Sequence, residues 1–92
     1  MTQSGKITVI EVVAPGCQHC ARVKKYFEEK FKPANPDVEI KYLDVVTPEG
    51  QSLAQKHLIF ASPGVIINGE LFSTGGLDEK KFEEKITSLR AQ

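Results

Sequence analysis

From Ile7 to Val13 the chain reads Ile-Thr-Val-Ile-Glu-Val-Val, β-branched residues broken by one charge and halted by Pro15-Gly16. Branching at Cβ suits a pleated strand, and a run this short bounded by turn residues reads as a buried one. The period then changes. From Gln18 to Phe31, apolar residues fall at Ala21, Val23, Tyr26, Phe27 and Phe31, close to helical spacing, and Pro33 is expected to end that helix. A strand running straight into a helix within 92 residues commits the chain to an α/β arrangement and to one domain, residues 1–92.

The remaining elements complete one sheet. Val38 to Val45 alternates through Val38, Ile40 and Tyr42 and predicts a second strand. Thr47-Pro48-Glu49 carries an N-cap followed by proline at the first helical position, so a short helix should run to about His57. Gly64–Asn68 and Glu70–Ser73 flank Asn68-Gly69, a two-residue hairpin signal because both turn positions need positive φ. A last helix is expected from about Asp78 to Arg90, capped by Asp78 and burying Phe82, Ile86 and Leu89. The order β-α-β-α-β-β-α gives a right-handed parallel crossover and an antiparallel hairpin in a mixed four-stranded sheet, with helices on both faces.

Charge narrows the partners. Twelve basic and twelve acidic residues leave no net field for nucleic acid or an anionic membrane. Lys24-Lys25 and Asp78 to Lys81 read as solvated helix faces. No apolar stretch approaches a membrane span and no signal segment opens the chain, so a cytoplasmic monomer is expected.

The chemistry lies in Cys17-Gln18-His19-Cys20, directly after the first strand and at the head of the first helix. Unpaired N–H groups and the helix dipole favour an anion there and lower a thiol's pKa, which makes Cys17 the nucleophile. Cys20, one turn further on, is the resolving thiol that closes the disulfide. Two cysteines spaced this closely would restrain little chain entropy, so reactivity is the better reason for them. A zinc or iron–sulfur site needs about four ligands, and only His19 and His57 remain as nitrogen donors. No resident metal is expected, although a cluster shared between two subunits through Cys17 stays open, as does a redox-inert binding module.

Ala14-Pro15-Gly16-Cys17-Gln18-His19-Cys20 resembles the active-site loop of thioredoxins and protein disulfide isomerases, and the likeness extends over nearly the whole chain. It implies a thioredoxin-like fold and a thiol–disulfide oxidoreductase acting on protein disulfides, supplied by a thioredoxin-reductase-like or glutathione donor. No cofactor is implied beyond the redox-active cysteine pair, with glutathione as a possible co-substrate. Ser62-Pro63 matches the family's cis-proline, which faces the redox pair and leaves backbone groups to pair with an extended substrate. Glu11 stands six positions before Cys17, where the family places an acidic residue that relays the resolving cysteine's proton. Burial in an apolar strand would raise its pKa, as a general base for Cys20 requires. His19 precedes the resolving cysteine as histidine does in disulfide isomerases, and is expected to favour the Cys17 thiolate and raise the reduction potential above thioredoxin's roughly −270 mV.

The chain departs from thioredoxins at Gly16, where they carry tryptophan, so one substrate-facing surface differs. Gly75-Gly76-Leu77-Asp78 instead resembles the glycine pair and aspartate with which glutaredoxins hold glutathione, and Pro63 to Gly69 also suits that family. A lysine shortly before Cys17, which glutaredoxins use, is missing; Ala14 and Pro15 stand there. Glutaredoxin is therefore the alternative, and Gly75-Gly76 also reads as a plain strand-to-helix turn.

Overall fold

In the computed structural model, which describes residues 6–91, strand β1 spans Thr8–Val13 and enters helix α1, Gln18–Tyr26, across the turn that holds Pro15 and Gly16. The helix does not stop at Phe31. It continues through a π-helical turn, Phe27–Phe31, and a last α turn, Lys32–Ala34. The reason is a change of ladder: Lys32 N–H donates to the Phe27 carbonyl five residues back, and Pro33 then falls in the first turn of a new segment, where a missing N–H costs nothing. Proline therefore ends the helix one turn later than its position alone predicts.

Strand β2 is Glu39–Asp44, one residue shorter at each end than the alternation predicts. Helix α2, Pro48–Lys56, starts where expected: Thr47 Oγ1 accepts the Gly50 N–H at 3.1 Å and donates to the Asp44 carbonyl at 2.7 Å. The hairpin of β3, Gly64–Ile67, and β4, Glu70–Thr74, turns at Asn68 (φ 50°) and Gly69 (φ 84°), both left-handed as a two-residue loop demands. Helix α3, Glu79–Arg90, is capped by Asp78, whose Oδ1 accepts the Lys81 N–H at 3.1 Å.

The strands order as β2-β1-β3-β4, with β1 parallel to β2 and antiparallel to β3, and β3 antiparallel to β4. Cross-strand partners share a face. Val9, Ile40 and Ile67 therefore point one way, as do Glu11, Tyr42 and Val65. This face is covered by α1 and α3, whose Val23, Tyr26, Phe27, Phe31, Phe82 and Ile86 complete the main core. A β-bulge opposite Val65-Ile66 leaves Phe72 without a partner and brings its ring 5.9 Å from that of Phe82. Val12 and Ile66 are buried on the other face, and α2 packs against β1 and β2. The helices on both faces expected from the element order, and the thioredoxin-like arrangement that the resemblance of the Cys17 loop implies, are thus present. Among the described residues no helix is long and apolar enough to cross a membrane.

Candidate active site

Strand direction decides what meets at the sheet's edge. β1 exits at Val13, and antiparallel β3 enters at Gly64, opposite Val12. β4 leaves at Thr74, opposite Gly64. The Cys17 loop, Ser62-Pro63 and Gly75-Gly76 therefore hang from the same end of the sheet, although up to 59 positions separate them in sequence (76 − 17).

Cys17 and Cys20 are joined as a disulfide, with Cα atoms 5.2 Å apart. Cys17 is itself the N-cap of α1: its backbone is extended, its carbonyl accepts the Ala21 N–H at 3.2 Å, and its Sγ accepts the Cys20 N–H at 3.1 Å. A sulfur in the cap position receives an otherwise orphaned amide and the positive end of the helix dipole, both of which stabilise a thiolate. Cys20, facing the sheet, is 4% exposed, whereas Cys17 is only half-buried. An incoming sulfur atom thus has access to Cys17 rather than Cys20.

Glu11 lies in β1 on the face that α1 covers. It is 0% exposed, and among the described residues neither carboxyl oxygen has a hydrogen-bond partner. Burial pushes its pKa up from 4.5 to about 7, against a smaller opposing pull from the Lys24 ammonium.

The other residues singled out in the sequence lie at this end of the sheet or on the adjoining helix α1. Gly16, exposed and at φ 72°, makes the turn into Cys17. The Ser62–Pro63 bond is cis and Pro63 is buried. Gly75, at φ 80°, donates its N–H to the carbonyls of both Ala61, at 3.1 Å, and Pro63, at 2.9 Å, tying the β4 exit to the β3 entry. His19 is exposed and lines a groove of about 170 Å3 with Arg22, Gly76 and Leu77 between α1 and the start of α3. On the Cys17 side, a shallow recess of about 420 Å3 is bounded by Val13, Ala14, Cys17, Cys20 and Lys24.

Four further residues escape a reading by motif. Lys24 reads as a solvated helix lysine, yet it lies one turn beyond Cys20 and its Nζ sits 5.0 Å from the Tyr42 ring centroid. Tyr42 is the β2 partner of Glu11. Phe60, in the loop before Ser62, is 91% exposed, with Leu58 beside it at 68%. The available signal was the i, i+4 spacing of Cys20 and Lys24; the pairing of Tyr42 with Glu11 needs the register.

Comparison with known proteins agrees with this geometry. The thioredoxin domain family matches residues 8–88. No curated protein sequence matches the chain. Among solved structures, Fasciola hepatica thioredoxin is 26% identical, with a TM-score of 0.71 over 91% of this chain and 81% of that one. A thioredoxin-like protein from Clostridium perfringens, 18% identical, superposes with a TM-score of 0.76 over 95% and 73% of the two chains. Thioredoxin f2 in a complex of ferredoxin:thioredoxin reductase and thioredoxin f2, also 18% identical, has a TM-score of 0.72 over 95% and 81%. The last two likenesses carry the fold alone, whereas the family match spans nearly the whole chain around its cysteine pair: the chain belongs to the thioredoxin domain family and is a thiol–disulfide oxidoreductase.

Proposed function

We propose that the chain exchanges its Cys17–Cys20 disulfide and dithiol with disulfides of protein substrates, by a two-step mechanism. The observation that carries this reading is the cap geometry: the accessible sulfur is the one held at the helix N-terminus, and the shielded sulfur lies one turn below it. In the reductive direction the Cys17 thiolate attacks a substrate disulfide, forming a mixed disulfide and expelling one substrate thiolate. Glu11, as carboxylate, then takes the Cys20 proton. The Cys20 thiolate attacks Cys17 Sγ, the Cys17–Cys20 bond forms, and the second substrate thiolate leaves and is protonated by solvent. Two electrons pass from the enzyme dithiol to the substrate.

A reductase must then restore the dithiol. The complex of ferredoxin:thioredoxin reductase and thioredoxin f2 supports a partner of that class. Exposed Phe60 and Leu58, at the loop leading into Ser62-Pro63, offer apolar contact to such macromolecules, the role that tryptophan before the first cysteine plays in thioredoxins. Gly16, Ser62, Pro63 and Gly75 form the remaining backbone border in this reading, and His19 supports the Cys17 thiolate.

The test is trapping. Reduced Cys20→Ser protein, challenged with a disulfide-containing protein substrate, should accumulate a mixed disulfide through Cys17, visible by mass, while reduced Cys17→Ser should accumulate none. Equal trapping by both variants would overturn the assignment of nucleophile and resolving thiol. One observation favours a second reading: the groove beside Gly76 carries the Arg22 guanidinium and the His19 ring, donors suited to the carboxylates of glutathione, with Glu79 also on its lining. A persistent glutathione adduct on Cys17 of the wild-type protein would establish the glutaredoxin-like alternative.

A further inference from the structure

Glu11 presents a physical difficulty that the two-step mechanism leaves open. A buried carboxyl whose oxygens meet no protein donor among the described residues ionises at a high cost. A proton acceptor must nevertheless be ionised. From α1 the Lys24 ammonium acts on it, across β2 its partner is Tyr42, and across β3 its partner is the apolar Val65. Tyr42 O–H donates to Glu28 Oε2 at 2.5 Å, and Glu28 in turn meets Lys32 Nζ at 3.3 Å, so the tyrosine ring is anchored from outside.

On that anchored ring sits the Lys24 ammonium, 5.0 Å from its centroid. The ring face attracts a cation. Because Tyr42 is the direct cross-strand neighbour of Glu11, holding Lys24 on Tyr42 also holds a positive charge beside the strand pair that carries the buried carboxyl. Lys24 further borders the recess that leads to Cys17 and Cys20.

We propose that Lys24 is a positioning residue for the exchange reaction: docked on the Tyr42 ring, its ammonium stabilises the ionised Glu11 that accepts the Cys20 proton. The proposal rests on the reading of Glu11 as that acceptor, and it adds a residue from the facing helix on which the acceptor depends. Its sign agrees with the charge balance at Glu11, where Lys24 opposes the effect of burial. Lys24 stays in contact with solvent, so its influence is moderate and weakens with salt.

The experiment titrates the Glu11 carboxyl carbon by NMR in the oxidised protein and records the pH profile of disulfide reduction with a small disulfide. Three variants are compared with the wild type: Lys24→Met, Lys24→Arg and Lys25→Met. Loss of the Lys24 charge should raise the Glu11 midpoint by roughly half to one pH unit and move the rate profile upward by the same amount. Lys24→Arg should restore both, and Lys25→Met, one position along the same helix, should leave both unchanged. An unmoved midpoint in a folded Lys24→Met protein overturns the proposal, as does an equal shift in Lys25→Met, which would mean net charge alone. The outcomes separate from those for Glu11 itself: if Glu11→Gln reduces disulfides as fast as the wild type, Glu11 is not the acceptor, while the NMR midpoint still reports whether Lys24 acts on it.

Discussion

A carboxyl that ionises near pH 7 when folded and near 4.5 when free binds more protons in the folded chain than in the unfolded one throughout the interval between. Stability must therefore fall as pH rises across that window, being highest below about 4.5 and having lost the full contribution above about 7. The shift corresponds to about 3 kcal/mol at most. Glu11→Leu, which keeps the volume and removes the charge, should flatten this dependence. Urea unfolding should find the variant more stable than wild type by about 2–3 kcal/mol at pH 8 and little changed at pH 4.5, while disulfide reduction slows about tenfold or more. At this scale the sequence was informative for Cys17, Cys20 and Glu11, because a carboxylate inside a β-branched run and a cysteine at a helix start are local anomalies. Lys24 and Tyr42 are ordinary for their elements, and only their neighbours single them out.

Helix ends and the hairpin are written in short-range chemistry, which is why Thr47, Asp78 and Asn68-Gly69 could be read in advance and were found at their expected places. The π turn at Phe27–Phe31 and the bulge at Phe72 could not, since each breaks the fixed period that the reading relies on. Both irregularities seat aromatic rings: Phe27 and Phe31 lie 5.2 and 4.9 Å from Phe82, and Phe72 lies 5.9 Å from it. Packing demands thus overrode local periodicity. The cap of α3 is testable alone. Asp78→Ala should cost about 1 kcal/mol by leaving the Lys81 amide without its side-chain partner, seen as a fall in Tm of about 4–8 °C.

Across the whole molecule, the aromatic cluster around Phe82 and the redox pair occupy different parts of one fold. Phe82 is fully buried and meets rings from α1, its π turn and β4. Phe82→Ala should cost about 3–5 kcal/mol, a large share of the roughly 5–15 kcal/mol typical of a domain, and chemical denaturation of the variant would measure it. The gathering of Cys17, Pro63 and Gly75 at one sheet end was not legible from order alone, because it depends on which strands pair and in which direction. The two bonds from the Gly75 N–H to Ala61 and Pro63 make that gathering observable. This single amide can exchange its hydrogen with solvent only when the loop before β3 and the exit of β4 separate. Its deuterium uptake, followed in the oxidised and reduced protein, therefore counts how often the border of the site comes apart and whether the redox state of Cys17 and Cys20 alters that frequency.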